Sequence, residues 1–411
     1  MSTPSLWQIQ APSRGHERLR GDVSADVCIV GAGVTGGACA WRLLEHGLRP
    51  VVLDAREVAA SASGRNGGFA VGSSDAATDQ ALGGMEAMAA ELGVAGAVRR
   101  RGSLWLGGVD DAHEVHEAVA AARADGLPVE DALDRVPEPM RGRFVAAAFF
   151  PGDGELEPAR WVRALVNGAA DRGAAVHELS PAIAVERRGG GWVVRTPDGS
   201  VGCQAVVVAC DGLIPGVAPE LAGYVYPVRG QMLATEPLPP ERRVLWCPTH
   251  SGFGFWYYRP TADGRIALGG GRLADLEAEY TEVEQTTPAV QAALERFLAA
   301  DLGLPGVAIT HRWAGVMGFS ADLVPLAGEV PERPGLYVSG GYSGVGNVNG
   351  WRCGRLVADL IATGAHPDAA HFAPARFGDG PPPEPVEKAA SRALLEVPRG
   401  SGTSGTGARG S

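Results

Sequence analysis

The feature that most narrows the fold is a short apolar run, Asp26-Val27-Cys28-Ile29-Val30, that breaks abruptly into Gly31-Ala-Gly33-Val-Thr-Gly36. A β-branched run of that length reads as a buried strand. The apolar stretch that follows, through Leu44 to a stop near Gly47, reads as a helix, and Val51-Val52-Leu53 as a second buried strand ending at Asp54. Residues 26–54 thus form one βαβ unit, which demands a parallel sheet and a right-handed crossover. The glycines let backbone approach a pyrophosphate, and the helix N-terminus adds N–H donors and a partial positive charge. Gly31, Gly33, Val34, Thr35 and Gly36 are therefore expected against phosphates. Asp54 lies 18 residues beyond Gly36. It is expected, with Ala55 beside it, at the hydroxyls of an adenosine ribose. A carboxylate there disfavours a 2′-phosphate, so NADP is not expected; FAD and NAD share the motif equally.

The rest of the chain extends that pattern. At 411 residues and 45% hydrophobic, it can bury the cores of two domains. The segment 85–150 reads as amphipathic helix interrupted by a strand at 102–106. A helix at 158–172, strands near 183–196 and the buried run Ala205–Ala209 return to parallel α/β. From Val225 to Leu268 strand-like runs predominate, among them Gln231–Thr235, Phe255–Arg259 and Arg265–Leu268. A helix follows over Thr287–Leu302, with Pro288 at its first position. The expected fold is α/β, a Rossmann-like dinucleotide domain (1–85, 151–224 and 320–366) with a second, mixed-sheet substrate domain (86–150 and 225–319). The tail, 367–411, rich in Pro, Gly and Ser beyond about 375, is expected to be largely disordered.

Charge and cysteines remove several function classes. A net charge of −11 argues against nucleic acid or anionic membrane as partner, leaving a small molecule. The six cysteines show neither a CxxC pair nor zinc spacing, so no metal is expected. With no signal peptide and no long apolar run, a cytoplasmic protein is expected; oligomeric state is not legible. The only lysine is Lys388, so chemistry in the body must do without lysine.

The choice of cofactor comes from further motifs: Ser61-Ala62-Ser63-Gly64-Arg65-Asn66-Gly67-Gly68, Gly340-Gly341-Tyr342-Ser343-Gly344-Val345-Gly346-Asn347, Arg229-Gly230-Gln231, Tyr258-Arg259-Pro260 and Trp313-Ala314-Gly315. In that order they resemble the glycine oxidase/D-amino-acid oxidase (DAO) family of flavoproteins over about 5–366. The Ser-Gly-Arg-Asn-Gly-Gly loop is most similar to the γ-glutamylputrescine oxidase branch. The resemblance implies FAD, with Ser63, Gly64, Arg65, Asn66, Gly67 and Gly68 beside the isoalloxazine. It further implies that Gly341, Tyr342, Gly344, Val345, Gly346 and Asn347 open a helix toward the pyrimidine edge, whose dipole favours reduction. Ala184 and Val185 are expected at the cofactor as well. The implied reaction is oxidation of an amine or amino acid to an imine, with hydride passing to flavin N5 and oxygen as acceptor. A dehydrogenase using another acceptor, or a non-catalytic FAD-binding subunit, stays open.

Departures from the family shape the expected site. Sarcosine oxidases carry a lysine where Val348 stands, and glycine oxidase carries a carboxylate-binding arginine where Met317 stands. Met317, Tyr257 and His250 are expected to line the substrate side, with Arg65 or Arg259 the cations that could hold a carboxylate or activate oxygen. No histidine occurs between His46 and His113, so histidyl attachment is not expected. FAD is expected to be non-covalent, with Cys247 and Cys353 the thiols that could overturn this.

Overall fold

The computed structural model describes residues 3–72, 75–252, 256–378 and 382–396. Its centre is a six-stranded sheet in the order Ala175–His177, Pro50–Leu53, Val27–Val30, Ala205–Val208, Leu336–Gly340, Leu326–Glu329. All neighbours are parallel except the last pair. Every residue of Val27–Val30, Pro50–Leu53 and Ala205–Val208 is buried, as strands covered on both faces must be. The Val34–Glu45 helix makes the expected crossover between the first two of these strands in the chain.

One face of the sheet is covered by the helices Val34–Glu45, Pro158–Asp171 and Gly346–Thr363, which share one apolar core. Glycine allows the first and last to approach closely: a Cβ on Gly350 would lie 2.7 Å from Val34, and one on Gly354 would overlap the Thr35 carbonyl. The other face packs on a four-stranded sheet, Gly21–Ser24, Gly199–Cys203, Gly191–Thr196 and Ala184–Arg188. An eight-stranded sheet runs Ile309–Ser320, Val225–Thr235, Ile266–Gly270, Trp256–Pro260, Thr249–Ser251, Ser103–Gly107, Ala146–Phe150, Glu130–Asp131. Three short strands, Phe69–Ala70, Gly154–Leu156 and Val98–Arg100, form a fourth sheet. The sequence reading of 85–150 as helical underestimated strand there. The strand expected at 102–106 is present as Ser103–Gly107, whereas small residues hide the period-2 signal of Ala146–Phe150.

Both ends of the chain are more structured than composition suggests. Leu6–Gln10 is a short helix capped by Ser5, with Leu6 and Trp7 buried. The tail, expected to be largely disordered, forms a helix over Val386–Glu396 that docks on the eight-stranded sheet. Phe255 of the expected Phe255–Arg259 strand, and the Gly400–Ser411 tail, lie outside the described residues. Among the described residues no helix is long and apolar enough to cross a membrane, and no cluster of His, Cys, Asp and Glu could hold a metal ion.

Candidate active site

The turn after Val30 is as tight as its glycines predict. Gly31 has φ 114°, and a Cβ on it would sit 2.6 Å from the Ala209 carbonyl. One on Gly36 would overlap the Gly31 carbonyl, and one on Gly33 would lie 2.7 Å from Ser63 Oγ. Gly33 caps the Val34–Glu45 helix with no side-chain hydrogen bond. Asp54, at the end of the next strand, is half-buried. Its Oδ2 accepts from Ala32 N–H (2.8 Å) and its Oδ1 from Arg56 N–H (2.8 Å), bracketing Ala55. Burial pushes this carboxyl up to about 6, against the pull of those two N–H groups. A dinucleotide's ribose hydroxyls would give this partly desolvated acid further donors.

Two further loops converge on this turn. Ser63 Oγ accepts from Val34 N–H (3.1 Å), tying the loop 61–68 to the helix N-terminus. Thr35 and Ser339 hydroxyls flank the buried Tyr342 hydroxyl at 2.8 and 2.9 Å, tying the loop 341–347 to the same helix. The loops join each other through an amide pair: Asn66 Nδ2 donates to Asn347 Oδ1 and Asn347 Nδ2 to Asn66 Oδ1, both at 3.1 Å. Asn66 Oδ1 also accepts from Gly68 N–H (2.8 Å), and Gly68 itself has a positive φ (72°). Gly341 (φ 71°) and Gly344 (φ 92°) turn the chain into the Gly346–Thr363 helix, again without a side-chain cap at Val345. Two helix N-termini whose own N-cap residues offer no side-chain acceptor, a half-buried strand-end acid and glycine loops too close for side chains fit the diphosphate and ring of FAD. Residues 31–36, 54, 61–68 and 341–347 would hold it.

The facing wall comes from the eight-stranded sheet. His250 and Tyr257 pair across neighbouring strands, and both meet Phe69, which follows the loop 61–68, with ring centroids 6.3 and 6.4 Å away. A Cβ on Gly230 would lie 3.1 Å from both Tyr257 Oη and Met317 Cε, so phenol and thioether share one patch. A Cβ on Gly67 would lie 3.0 Å from the Tyr257 ring, which fixes how closely loop and wall approach. Burial pushes the Tyr257 phenol up to about 12 and the His250 imidazole down to about 4. At neutral pH both are uncharged.

The arginines behave differently from expectation. Arg65 is buried with its guanidinium turned into the scaffold, donating to the carbonyls of Ala60 (2.8 Å), Thr3 (3.0 Å) and Ala314 (2.8 Å). Arg259, also buried, donates to Glu155 (3.1 Å) and the Leu156 carbonyl (2.9 Å) over the Trp7 ring. Both are pinned by acceptors that the strands bring together, so neither is the cation over the wall that the sequence suggested. Ala184 and Val185, expected at the cofactor, pair with Arg195 and Val194 in the four-stranded sheet. The segment bonded to the Asp54 strand is 177–180, where Asp54 N–H donates to the His177 carbonyl and Ser180 N–H to the Asp54 carbonyl. It is that turn that lies beside the ribose acid.

Sequence reasoning missed two elements. The N-terminal arm buttresses the loop 61–68: Ser5 Oγ donates to the Gly64 carbonyl (2.6 Å) and Trp7 Nε1 to that of Asn66 (2.8 Å). Asp211, with φ 49°, accepts from Gly318 N–H (2.7 Å) and Gly341 N–H (2.9 Å), joining the Met317 strand to the loop 341–347. It follows the Ala205–Val208 strand closely, as Asp54 follows Pro50–Leu53. That strand-end position, where ligands of parallel sheets gather, was the available signal.

Comparison with known proteins agrees with this geometry. Residues 26–360 match the DAO family model, described as FAD dependent oxidoreductase. A probable oxidoreductase, OrdL, of Rhizobium meliloti is 30% identical over 83% of this chain and 84% of its own. The γ-glutamylputrescine oxidoreductase of Escherichia coli is 28% identical over 84% and 85%. Among solved structures, glycine oxidase from Geobacillus kaustophilus superposes with a TM-score of 0.75 at 23% identity, covering 85% of this chain and 98% of that one. The chain belongs to the DAO family of FAD-dependent oxidoreductases.

Proposed function

We propose that this enzyme oxidises the carbon–nitrogen bond of a small amine held between the loop 66–68 and the wall of Tyr257, His250 and Met317. The observation that carries the reading is the character of that wall: a protonated phenol, a neutral imidazole and a thioether, all uncharged at neutral pH. FAD, when bound, supplies the acceptor for the hydride that leaves the substrate Cα. The wall supplies no base, so the amine must arrive neutral; Tyr257 Oη can donate or accept one hydrogen bond to orient it. The imine formed is hydrolysed by water to a carbonyl. Because an ammonium of pKa near ~10 must lose its proton first, kcat/KM is expected to rise with pH.

Met317 makes an α-carboxylate unwelcome, since a buried anion without a cation costs several kcal/mol. Simple amines are expected to bleach the enzyme-bound flavin anaerobically faster than glycine, sarcosine or D-alanine. If any of those three is faster than every simple amine, the Met317 argument fails. The likeness to γ-glutamylputrescine oxidoreductase supports an amine with a polar far end.

FAD is proposed to be held without a covalent bond. Cys247 and Cys353 are buried in apolar cores, with thiols pushed up to about 12. Acid precipitation should leave the flavin in the supernatant. We also propose the domain division 1–85, 151–224 and 320–366 for FAD against 86–150 and 225–319 for substrate; the six- and eight-stranded sheets draw their strands from these two sets, with only Ser320 crossing. Oxygen is the proposed acceptor. The engagement of Arg65 and Arg259 with the scaffold favours a second reading, a dehydrogenase with another acceptor. One hydrogen peroxide per turnover selects the first reading and its absence the second.

A further inference from the structure

Beyond Met317 the same sheet face carries Tyr226, Val228 and Phe319, with Tyr280 packed against them. Tyr226 and Tyr280 stand with ring centroids 6.2 Å apart, and the Arg272 guanidinium lies 5.3 Å from the Phe319 centroid. Into this corner the C-terminal helix inserts Glu387. Its carboxylate accepts from Tyr280 Oη (3.1 Å) and Tyr226 Oη (3.4 Å) and pairs with Arg272 at 2.9 Å; Ser391 of the same helix donates to it at 2.6 Å. Only 6% of Glu387 remains exposed.

An arginine and two phenols converging on one buried carboxylate are a carboxylate-recognition set: a charge and two neutral donors. The described contacts of the helix that delivers the carboxylate are largely polar. Among its described side chains only Glu387 and Ser391 are buried, while Val386 stays 50% exposed. An eleven-residue helix is marginal alone, so its contacts with the body of the protein must hold it in place. Other ties among the described residues are Val386 N–H to the Ala321 carbonyl at 3.0 Å, Arg392 to Glu277 at 2.9 Å, and Lys388 Nζ over the Tyr226 and Tyr280 rings at 4.6 and 4.5 Å.

We infer that Arg272, Tyr226 and Tyr280 form a binding subsite for a small-molecule carboxylate, and that Glu387 occupies it as a displaceable internal ligand. A tethered competitor lowers the apparent affinity for any free carboxylate by the fraction of time it holds the site. The subsite shares the Tyr226–Phe319 cluster with Met317, so the far end of an amine reacting at Met317 could reach it. That consequence rests on the amine-oxidation reading; the binding itself does not.

Lys388 is the only lysine, so endoproteinase Lys-C can cut the full-length holoenzyme at one bond alone. Glutarate is the probe, with uncharged glutaramide as control. Saturating glutarate should speed the cut severalfold and glutaramide should not. Glu387→Gln should speed it without probe, and should tighten glutarate binding in calorimetry by ~10-fold or more, the gain from removing the internal competitor. Adding Arg272→Met should abolish that gain. Tyr280→Phe, which keeps the ring and drops one donor, should both speed the cut and weaken glutarate binding, and it serves if Glu387→Gln folds poorly. A cut as fast in the wild type as in Glu387→Gln, or glutarate binding indifferent to Arg272 and Glu387, overturns the inference. Because neither readout needs turnover, an error in the assigned reaction leaves the test intact. Anaerobic flavin bleaching then separates the sources of carboxylate. Acceleration by Glu387→Gln confined to 5-aminopentanoate over pentylamine places the carboxylate on the substrate. Acceleration of pentylamine by added glutarate makes it a separate effector.

Discussion

Arg65 gives the sharpest test of how the flavin loop is built, because its sequence context and its geometry point in opposite directions. A cation in a Ser-Gly-Arg-Asn-Gly-Gly loop beside a flavin invites a role with substrate, yet the guanidinium faces away, into the carbonyls of Ala60, Thr3 and Ala314. Glu284 stands 3.6 Å from its Nε and favours the charged form, while burial lowers the guanidinium pKa from its ordinary value. Arg65→Ala strands three acceptors, of which the Ala314 carbonyl bond is wholly buried. Hydrogen bonds to a charged group contribute ~1.5–3 kcal/mol each, offset by the relief of desolvating the guanidinium. The net expectation is about 3–5 kcal/mol of lost stability, the usual cost of removing one partner from a buried charged network. Urea denaturation of the apoprotein reads this without the mass-action contribution of FAD. Arg65→Lys, which can satisfy one or two of the carbonyls, should recover part of it. Molecules of Arg65→Ala that retain FAD should still be reduced by substrate at a rate near wild type. An unchanged urea midpoint together with lost flavin reduction would falsify the inward geometry and return Arg65 to the substrate.

Asp54→Ala should weaken FAD binding by ~1–3 kcal/mol, the cost of leaving its polar partners unpaired; equal affinity in a fluorescence titration would show the acid misassigned. Asp211→Asn turns an NH2 toward Gly318 N–H or Gly341 N–H and should loosen the loop 341–347, weakening FAD by a similar ~1–3 kcal/mol. For His250 burial pushes the imidazole down to about 4, below its ordinary 6.5, so the unfolded chain binds more protons between these limits. Stability should therefore fall as pH drops from 6.5 toward 4, by roughly 3 kcal/mol, and the wild type minus His250→Gln difference should isolate that slope. With Arg65 and Arg259 tied to the scaffold and His250 neutral, the reduced enzyme should react with oxygen more slowly than sarcosine oxidases, which carry a lysine; a stopped-flow rate equal to theirs would defeat this.

What could be read in advance was what is local. The unit 26–54 was legible because strand period, glycine turn and strand-end acid lie within one short stretch, and each piece constrains the next. The loops 61–68 and 341–347 were recognisable as loops, but the amide pair that joins Asn66 to Asn347 spans the fold and leaves no mark in either segment. The errors share a cause. The direction of Arg65 and Arg259 is decided by acceptors at Thr3, Ala314, Glu155 and Leu156, none of which is a sequence neighbour. Residue type told that a cation was present; only the fold told where its charge was neutralised. The C-terminal helix makes the same point in reverse. A tail rich in Pro, Gly and Ser points to disorder, yet its 386–396 stretch docks through Glu387 into a site made of Arg272, Tyr226 and Tyr280. A segment that behaves like a ligand need not carry a hydrophobic signature, because its stability lies in the site that receives it. Hence the tail's fate should follow the occupancy of that corner rather than its own helix propensity: substitutions at an exposed position away from the scissile bond, such as Ala393, should leave the cut at Lys388 unchanged, while those at Glu387 or Arg272 should not.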